Sequence, residues 1–105
     1  MMTLQMISQN RELLDEIGDY LLAEDLIANV MITADILYKE SDENGNLHTS
    51  RRFALKGISK SLLFGTINQK LREQFGERMP LLYSEPIIMI DPDQTKQIIK
   101  GLTKI

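Results

Sequence analysis

Residues 26–39, LIANVMITADILYK, alternate apolar and polar side chains and are followed after a short polar stretch by Asn44-Gly45 and a second alternating run, LHTSRRFALK. Period two sustained for about a dozen residues predicts a strand longer than the usual ~5–6. Asn-Gly accepts the positive φ values of a tight hairpin turn. A two-residue turn there sets Ile36 opposite Phe53 and Ala34 opposite Leu55. It also sets Asp35 opposite Ala54, diagonal to Arg52 and Lys56. Apolar groups then meet on one face and opposite charges on the other, the agreement expected of a correct register. A long antiparallel hairpin in mid-chain admits few folds.

The flanking segments narrow the choice. Thr3–Ser8 reads as a short strand. From Asn10, leucines and Ile17 recur at helical spacing with acids on the complementary face, and Asn10 or Ser8 can cap the helix. Leu63, Ile67, Leu71 and Phe75 mark a second helix ending near Gly76. Asp91, Pro92 and Gln94 carry the cap, first-turn proline and capping-box spacing of a third, running to about Lys100 or Gly101. Between the last two lies MPLLYSEPIIMIDPD, where all 3 prolines of the chain stand six residues apart. Proline in a strand is confined to edges, ends and bulges. Pro80 is expected to open this strand, Pro86 to bend it midway, and Pro92 to start the third helix.

This order, strand–helix–strand–strand–helix–strand–helix, predicts an α+β, ferredoxin-like βαββαβ(α) sandwich with a four-stranded antiparallel sheet and its helices on one face. Strands 1 and 3 are central; 2 and 4 are edges. At 105 residues the whole chain, 1–105, is expected to form a single domain. Its second sheet face should be polar in a solitary subunit. Instead Met31, Leu37 and Ala54 fall there, and residues 81–90 are apolar on both parities. About four such side chains left wet would forgo about 6–12 kcal/mol, comparable with the ~5–15 kcal/mol stability of a domain. A homo-oligomer is therefore expected.

Composition removes several function classes. There is no cysteine, so disulfides, thiolate catalysis and Cys-based metal centres are excluded. A net charge of −3 and a pI near 5.1 argue against nucleic acid as partner. No apolar run is long enough for a membrane span. The N-terminus lacks the basic and apolar regions of a signal peptide, so a cytoplasmic location is expected. His48, the one histidine, reads as a polar hairpin residue. Asp42–Asn46, DENGN, lacks the glycine position and closing glutamate of a calcium loop and reads as a tight turn. The 6 methionines read as core filler and start residues.

The segments EDLIANVMITADILYKE, LKGISKSLLFGTINQKLRE and MPLLYSEPIIMIDPDQTKQII, in that order, resemble the CutA divalent-ion-tolerance family over nearly the whole chain. Leu26–Met31 is similar to the family's Leu-Ala-Ala-Cys-Val-Asn passage. Tyr38-Lys39 is similar to its aromatic-basic pair, Lys56 to its strand-3 lysine, and Pro80 and Pro86 to its strand-4 prolines. Asn29 stands where the family has cysteine, Glu40 where it has tryptophan, Gly57 where it has threonine, and Phe75–Arg78 where it has His-Pro-Tyr-Glu. The resemblance implies a tight homotrimer related in architecture to the PII signalling proteins. Such a protein would be non-enzymatic and would act in metal-ion response or small-ligand regulation through a cleft between subunits.

The ligand-binding candidates are Asn29, Asp35, Tyr38, Arg52 and Lys56, with a small anion, a metabolite or a divalent metal as ligand and no cofactor specified. A cross-strand ion-pair ladder of Asp35, Arg52 and Lys56 is the plainer account of the same group. A small acylphosphatase-like phosphoryl hydrolase is the alternative function, resting on Arg11 with Asn10 or Asn68 near a helix N-terminus.

Overall fold

The computed structural model describes residues 1–104. Its elements run β1 (Met2–Ser8), α1 (Arg11–Ala23), β2 (Met31–Ser41), β3 (Leu47–Ser59), a 3₁₀ turn (Ser61–Leu63) leading into α2 (Phe64–Phe75), a second 3₁₀ turn (Gly76–Arg78), β4 (Leu81–Pro86) and α3 (Pro92–Gly101). All three pairings are antiparallel and the strand order is β2-β3-β1-β4. This is the expected α+β, ferredoxin-like architecture with β1 and β3 central.

Local signals place the helices. Asn10 Oδ1 accepts from the Leu13 amide at 3.1 Å and opens α1. Asp91 Oδ2 accepts from Gln94 N at 3.0 Å and opens α3, with Pro92 in its first turn. The even-numbered side chains of β1 (Met2, Leu4, Met6) and Leu55 of β3 pack with Leu14, Ile17 and Leu21 of α1 and Ile67 and Leu71 of α2 into one buried core. Leu26 and Ile27 join it, so the segment before Met31 is core-filling coil rather than the expected start of the alternating strand.

Gly57 makes that packing possible: a Cβ there would collide with the Asn29 carbonyl oxygen and the Ile27 side chain. Over this closest approach, Ala28 N donates to Ile58 O at 2.8 Å and Ile58 N to Asn29 Oδ1 at 3.1 Å.

The hairpin differs from expectation in two places. Its loop has three residues, Glu43, Asn44 and Gly45, rather than two. Asp42 N bonds to Asn46 O, Gly45 N to Asp42 O, and Gly45 sits at φ 80°, a type I turn closed by a left-handed glycine. Asp42 Oδ1 also accepts from the amides of Asn44 and Asn46. Ser41 therefore pairs with Leu47 and Ile36 with Arg52, one residue away from the expected register.

A β-bulge between Thr33 and Ile36, with Asp35 at φ 61°, then inserts one more residue, so that Thr33 faces Ala54 and Ile32 faces Leu55. Ile32 keeps its expected position against the core. Between bulge and tip the faces exchange. Ile36 and Tyr38 share the open face with Arg52 and Ser50, while Leu37 pairs with Arg51 on the other.

β1 covers β3 only from Phe53 to Ser59. The outer part of the hairpin is thus a two-stranded arm, and the molecule measures 48 × 29 × 22 Å. Its radius of gyration is 14.9 Å, against ~13 Å for a compact chain of this length. β4 ends at Pro86, so that proline terminates the strand instead of bending its middle. Ile87 N still donates to Met1 O at 3.1 Å, and the chain then leaves the sheet, with Ile88 93% and Met89 88% exposed.

Candidate functional site

Three of the candidates, Tyr38 of β2 and Arg52 and Lys56 of β3, lie on the open face, but not as one cluster. Arg52 is the best-held of them, its side chain only 20% exposed. Its guanidinium lies 4.0 Å from the centre of the Tyr38 ring. Nε donates to Ser50 Oγ at 3.1 Å and Nη2 to Glu40 Oε1 at 3.4 Å. The one-residue loop shift creates this group, since it places Tyr38 opposite Ser50 and two residues from Arg52's own partner, Ile36. A guanidinium over an aromatic face is restrained and partly desolvated, an arrangement suited to an anion.

Asp35 does not join it. As a bulge residue it has left the ladder position diagonal to Arg52 and Lys56. Among the described residues it forms no ion pair, and Arg52 pairs with Glu40 instead. The expected Asp35–Arg52–Lys56 ladder is therefore absent. Lys56 lies four residues further along β3, about 13 Å away at the rise of a strand, between Gln5 of β1 and Met31 of β2. Asn29 belongs to that end too, its side-chain oxygen engaged by Ile58 N. It borders a hollow of about 570 Å³ whose other walls include Leu22, Ile27, Gln94 and Ile98. The candidates form two groups, Tyr38 with Arg52 and Asn29 with Lys56, separated along one strand.

Residues beyond the candidate set complete the face. Glu40 and Ser50 are Arg52's partners. Toward the β4 edge, Gln5 is buried, donates to Glu85 Oε1 and accepts from Tyr83 Oη at 2.9 Å. Gln5, Tyr83 and Glu85 share one face through the β1–β4 register, which no spacing within either segment reveals alone. At the hairpin tip, His48 Nε2 lies 2.8 Å from Asp42 Oδ2. The bond from His48, with the backbone amide of Asn46, holds the Asp42 carboxyl below its usual range.

The residues of the hydrolase alternative are engaged otherwise. Asn10 caps α1 through Leu13 N. Arg11 is exposed and 3.8 Å from Asp15. Asn68 belongs to α2. A resident transition metal does not fit the donor set either. Among the described residues no group of three or more His, Cys, Asp or Glu is placed to hold one, and His48 is committed to Asp42. No helix among them is long and apolar enough to cross a membrane.

No protein-family model and no curated protein sequence matches the chain. Solved structures do. A single-site variant of CutA1 from Pyrococcus horikoshii OT3 superposes with a TM-score of 0.86 at 16% identity, covering 99% of this chain and 100% of that one. The periplasmic divalent cation tolerance protein CutA from Archaeoglobus fulgidus gives 0.83 at 20% identity, covering 96% and 98%. CutA1 from Oryza sativa gives 0.86 at 15%, covering 99% and 94%. The agreement spans essentially the full length of both partners in each comparison, and on it the chain has the fold of the CutA1 divalent-ion-tolerance proteins.

Proposed function

We propose that the chain is a non-enzymatic, CutA/PII-like homotrimer that acts in divalent-ion response or small-ligand regulation through a cleft between subunits. The observation that carries this reading is the large apolar surface one copy leaves uncovered. Ile88 and Met89 are almost fully exposed beyond the last hydrogen bond of the β1–β4 pair, Ile87 N to Met1 O, and Met31 on the open face is 62% exposed. Full burial of such a side chain is worth about 1.5–3 kcal/mol. β2 adds an unpaired edge of 11 residues with no proline to blunt it.

The exposed 87–90 segment and the β2 edge lie at opposite margins of the sheet. A contact that joins one to the other is head-to-tail, and such contacts make a ring where the rotation between copies closes and an open filament where it does not. Three copies are what the resemblance to CutA implies. In that ring the boundary between copies runs beside the open face, where Tyr38, Arg52 and Lys56 lie with Asp35 and Asn29 at its margin; these residues form the ligand cleft. The names of the three compared proteins, two of which speak of CutA1 and one of divalent cation tolerance, support the assignment to ion response.

Native mass spectrometry of the protein purified without chelator tests the assembly. A mass of three subunits at micromolar concentration is the expected result. A stable monomer refutes the reading.

A further inference from the structure

α3 is held at one end rather than along its length. None of its residues is buried, and it lays Ile98, half-buried, against the core. Beneath it lies the hollow of about 570 Å³, lined by Ile27, Ala28 and Asn29 of the α1–β2 connection and by Gln94, Gln97 and Ile98 of α3. A helix of 10 residues has little stability of its own in water, so its attachments decide whether it stays in place.

The C-terminal end is fastened. Leu102 is 5% exposed and belongs to the core. Thr103 N donates to Asp25 O at 2.8 Å, and the Thr103 hydroxyl is shared between Glu24 O at 3.1 Å and Asp25 O at 3.0 Å. These carbonyls lie just beyond α1, a helix with no basic residue in its last turn, and Thr103 supplies donors where a helix end lacks them. Lys60 Nζ, ahead of α2, donates to Thr103 O at 2.9 Å and closes the fastening. Residues near a chain terminus are loose unless tied down; Thr103 is tied to two separate parts of the molecule.

The other end is free of such ties. Beyond the Ile87 N–Met1 O bond, no backbone hydrogen bond among the described residues holds Ile88, Met89 or Ile90, and the next is the Asp91 cap of α3 itself. We propose that α3 is a lid over the hollow, hinged at residues 88–91 and latched by Leu102 and Thr103, whose release opens the hollow to solutes. Opening parts Ile98, Leu102 and the Thr103 bonds from the body and leaves the strand pairings and the packing of α1 and α2 intact, the pattern of a local unit that opens ahead of the whole. Every part of this device lies within one copy, so it goes beyond the assembly reading and stands or falls apart from it.

Hydrogen exchange of the full chain, followed by mass spectrometry, tests the lid. In the parent, the amides of residues 95–101 should exchange roughly tenfold or more faster than those of β1 and of Phe53–Ser59 in β3; equal protection overturns the proposal. Thr103→Val keeps the side-chain shape and the backbone donor of the latch and loses the hydroxyl. It should speed exchange over 95–101 by roughly tenfold and leave the two central strands at their parental rates. Thr103→Ser, which restores the hydroxyl, should return the parental rate. Unchanged exchange in Thr103→Val, or equal acceleration in the central strands, overturns the latch. Access is read separately. The chain has no cysteine, so Ala28→Cys places a single thiol in the wall of the hollow. Its reaction with a neutral maleimide should quicken in the Thr103→Val background, and one rate in both backgrounds overturns the lid.

Discussion

Replacing Gly57 by alanine probes the joint on which the sheet and the α1–β2 connection meet. The added methyl would overlap the Asn29 carbonyl oxygen, which is backbone, and the Ile27 side chain, which is 3% exposed and packed in the core. Neither can yield without moving residues 27–29 away from β3. Overpacking of this kind costs about 1–3 kcal/mol. The movement also strains the Ala28 N–Ile58 O and Ile58 N–Asn29 Oδ1 bonds, each worth about 1 kcal/mol. The expected loss is about 2–4 kcal/mol. At a urea m-value of about 2 kcal/mol per M, the midpoint should fall by about 1–2 M. Equilibrium urea denaturation followed by circular dichroism measures this, at one fixed protein concentration so that concentration-dependent association does not enter the comparison. Gly65→Ala is the control: no neighbouring atom lies within 4 Å of the place its methyl would take, and an exposed helical glycine gains roughly 0.5–1 kcal/mol on becoming alanine. If Gly57→Ala unfolds at the same urea concentration as the parent, the close approach is not a constraint and the account of this joint is wrong.

Other substitutions address the bulge, the tip and the assembly. Asp35→Val places a β-branched residue at φ 61° and should cost about 1–2 kcal/mol in urea denaturation, whereas Asp35→Gly should stay within about 0.5 kcal/mol; equal losses would deny the bulge its positive φ. Asp42 is held below its ordinary carboxylate pKa chiefly by His48. Its contribution to stability is therefore present above the unfolded-state pKa and lost as pH falls through the lower, folded value. Carboxyl-carbon NMR should show Asp42 titrating at higher pH in His48→Ala than in the parent, and unchanged titration would exclude the bond. Ile88→Asp should leave far-ultraviolet circular dichroism intact and shift native mass toward one subunit; a retained trimer would show that this side chain is not at the boundary.

Much of the architecture could be read from residues acting locally. The Asn10 and Asp91 caps, the helical spacing of Leu63 to Phe75, and the first-turn place of Pro92 are short-range physics, and each holds in the structure. The failures lie where two distant choices compete. Asn44-Gly45 points to a two-residue turn, but Asp42, whose carboxylate binds the amides of Asn44 and Asn46, favours a type I turn with glycine following it. That signal was present in the sequence. The bulge at Asp35 had none of its own. It follows from fitting Ile32 against Leu55 in the core while the loop dictates the register beyond it. Because one residue reverses side-chain direction, the candidate site changed with it. Tyr38 came round to Arg52, Asp35 left the pair, and Glu40 and Ser50 entered unforeseen.

The first strand to be made occupies an interior position, between β3 and the last strand. Tyr83 must find Gln5 across 78 positions of chain, and the row joining Met2 to Pro86 forms only once residues 81–86 are available. Distant pairings of this kind slow folding. During synthesis β1 therefore has one flank without its neighbour until β4 arrives, an interval in which chaperones or stray strands compete for it.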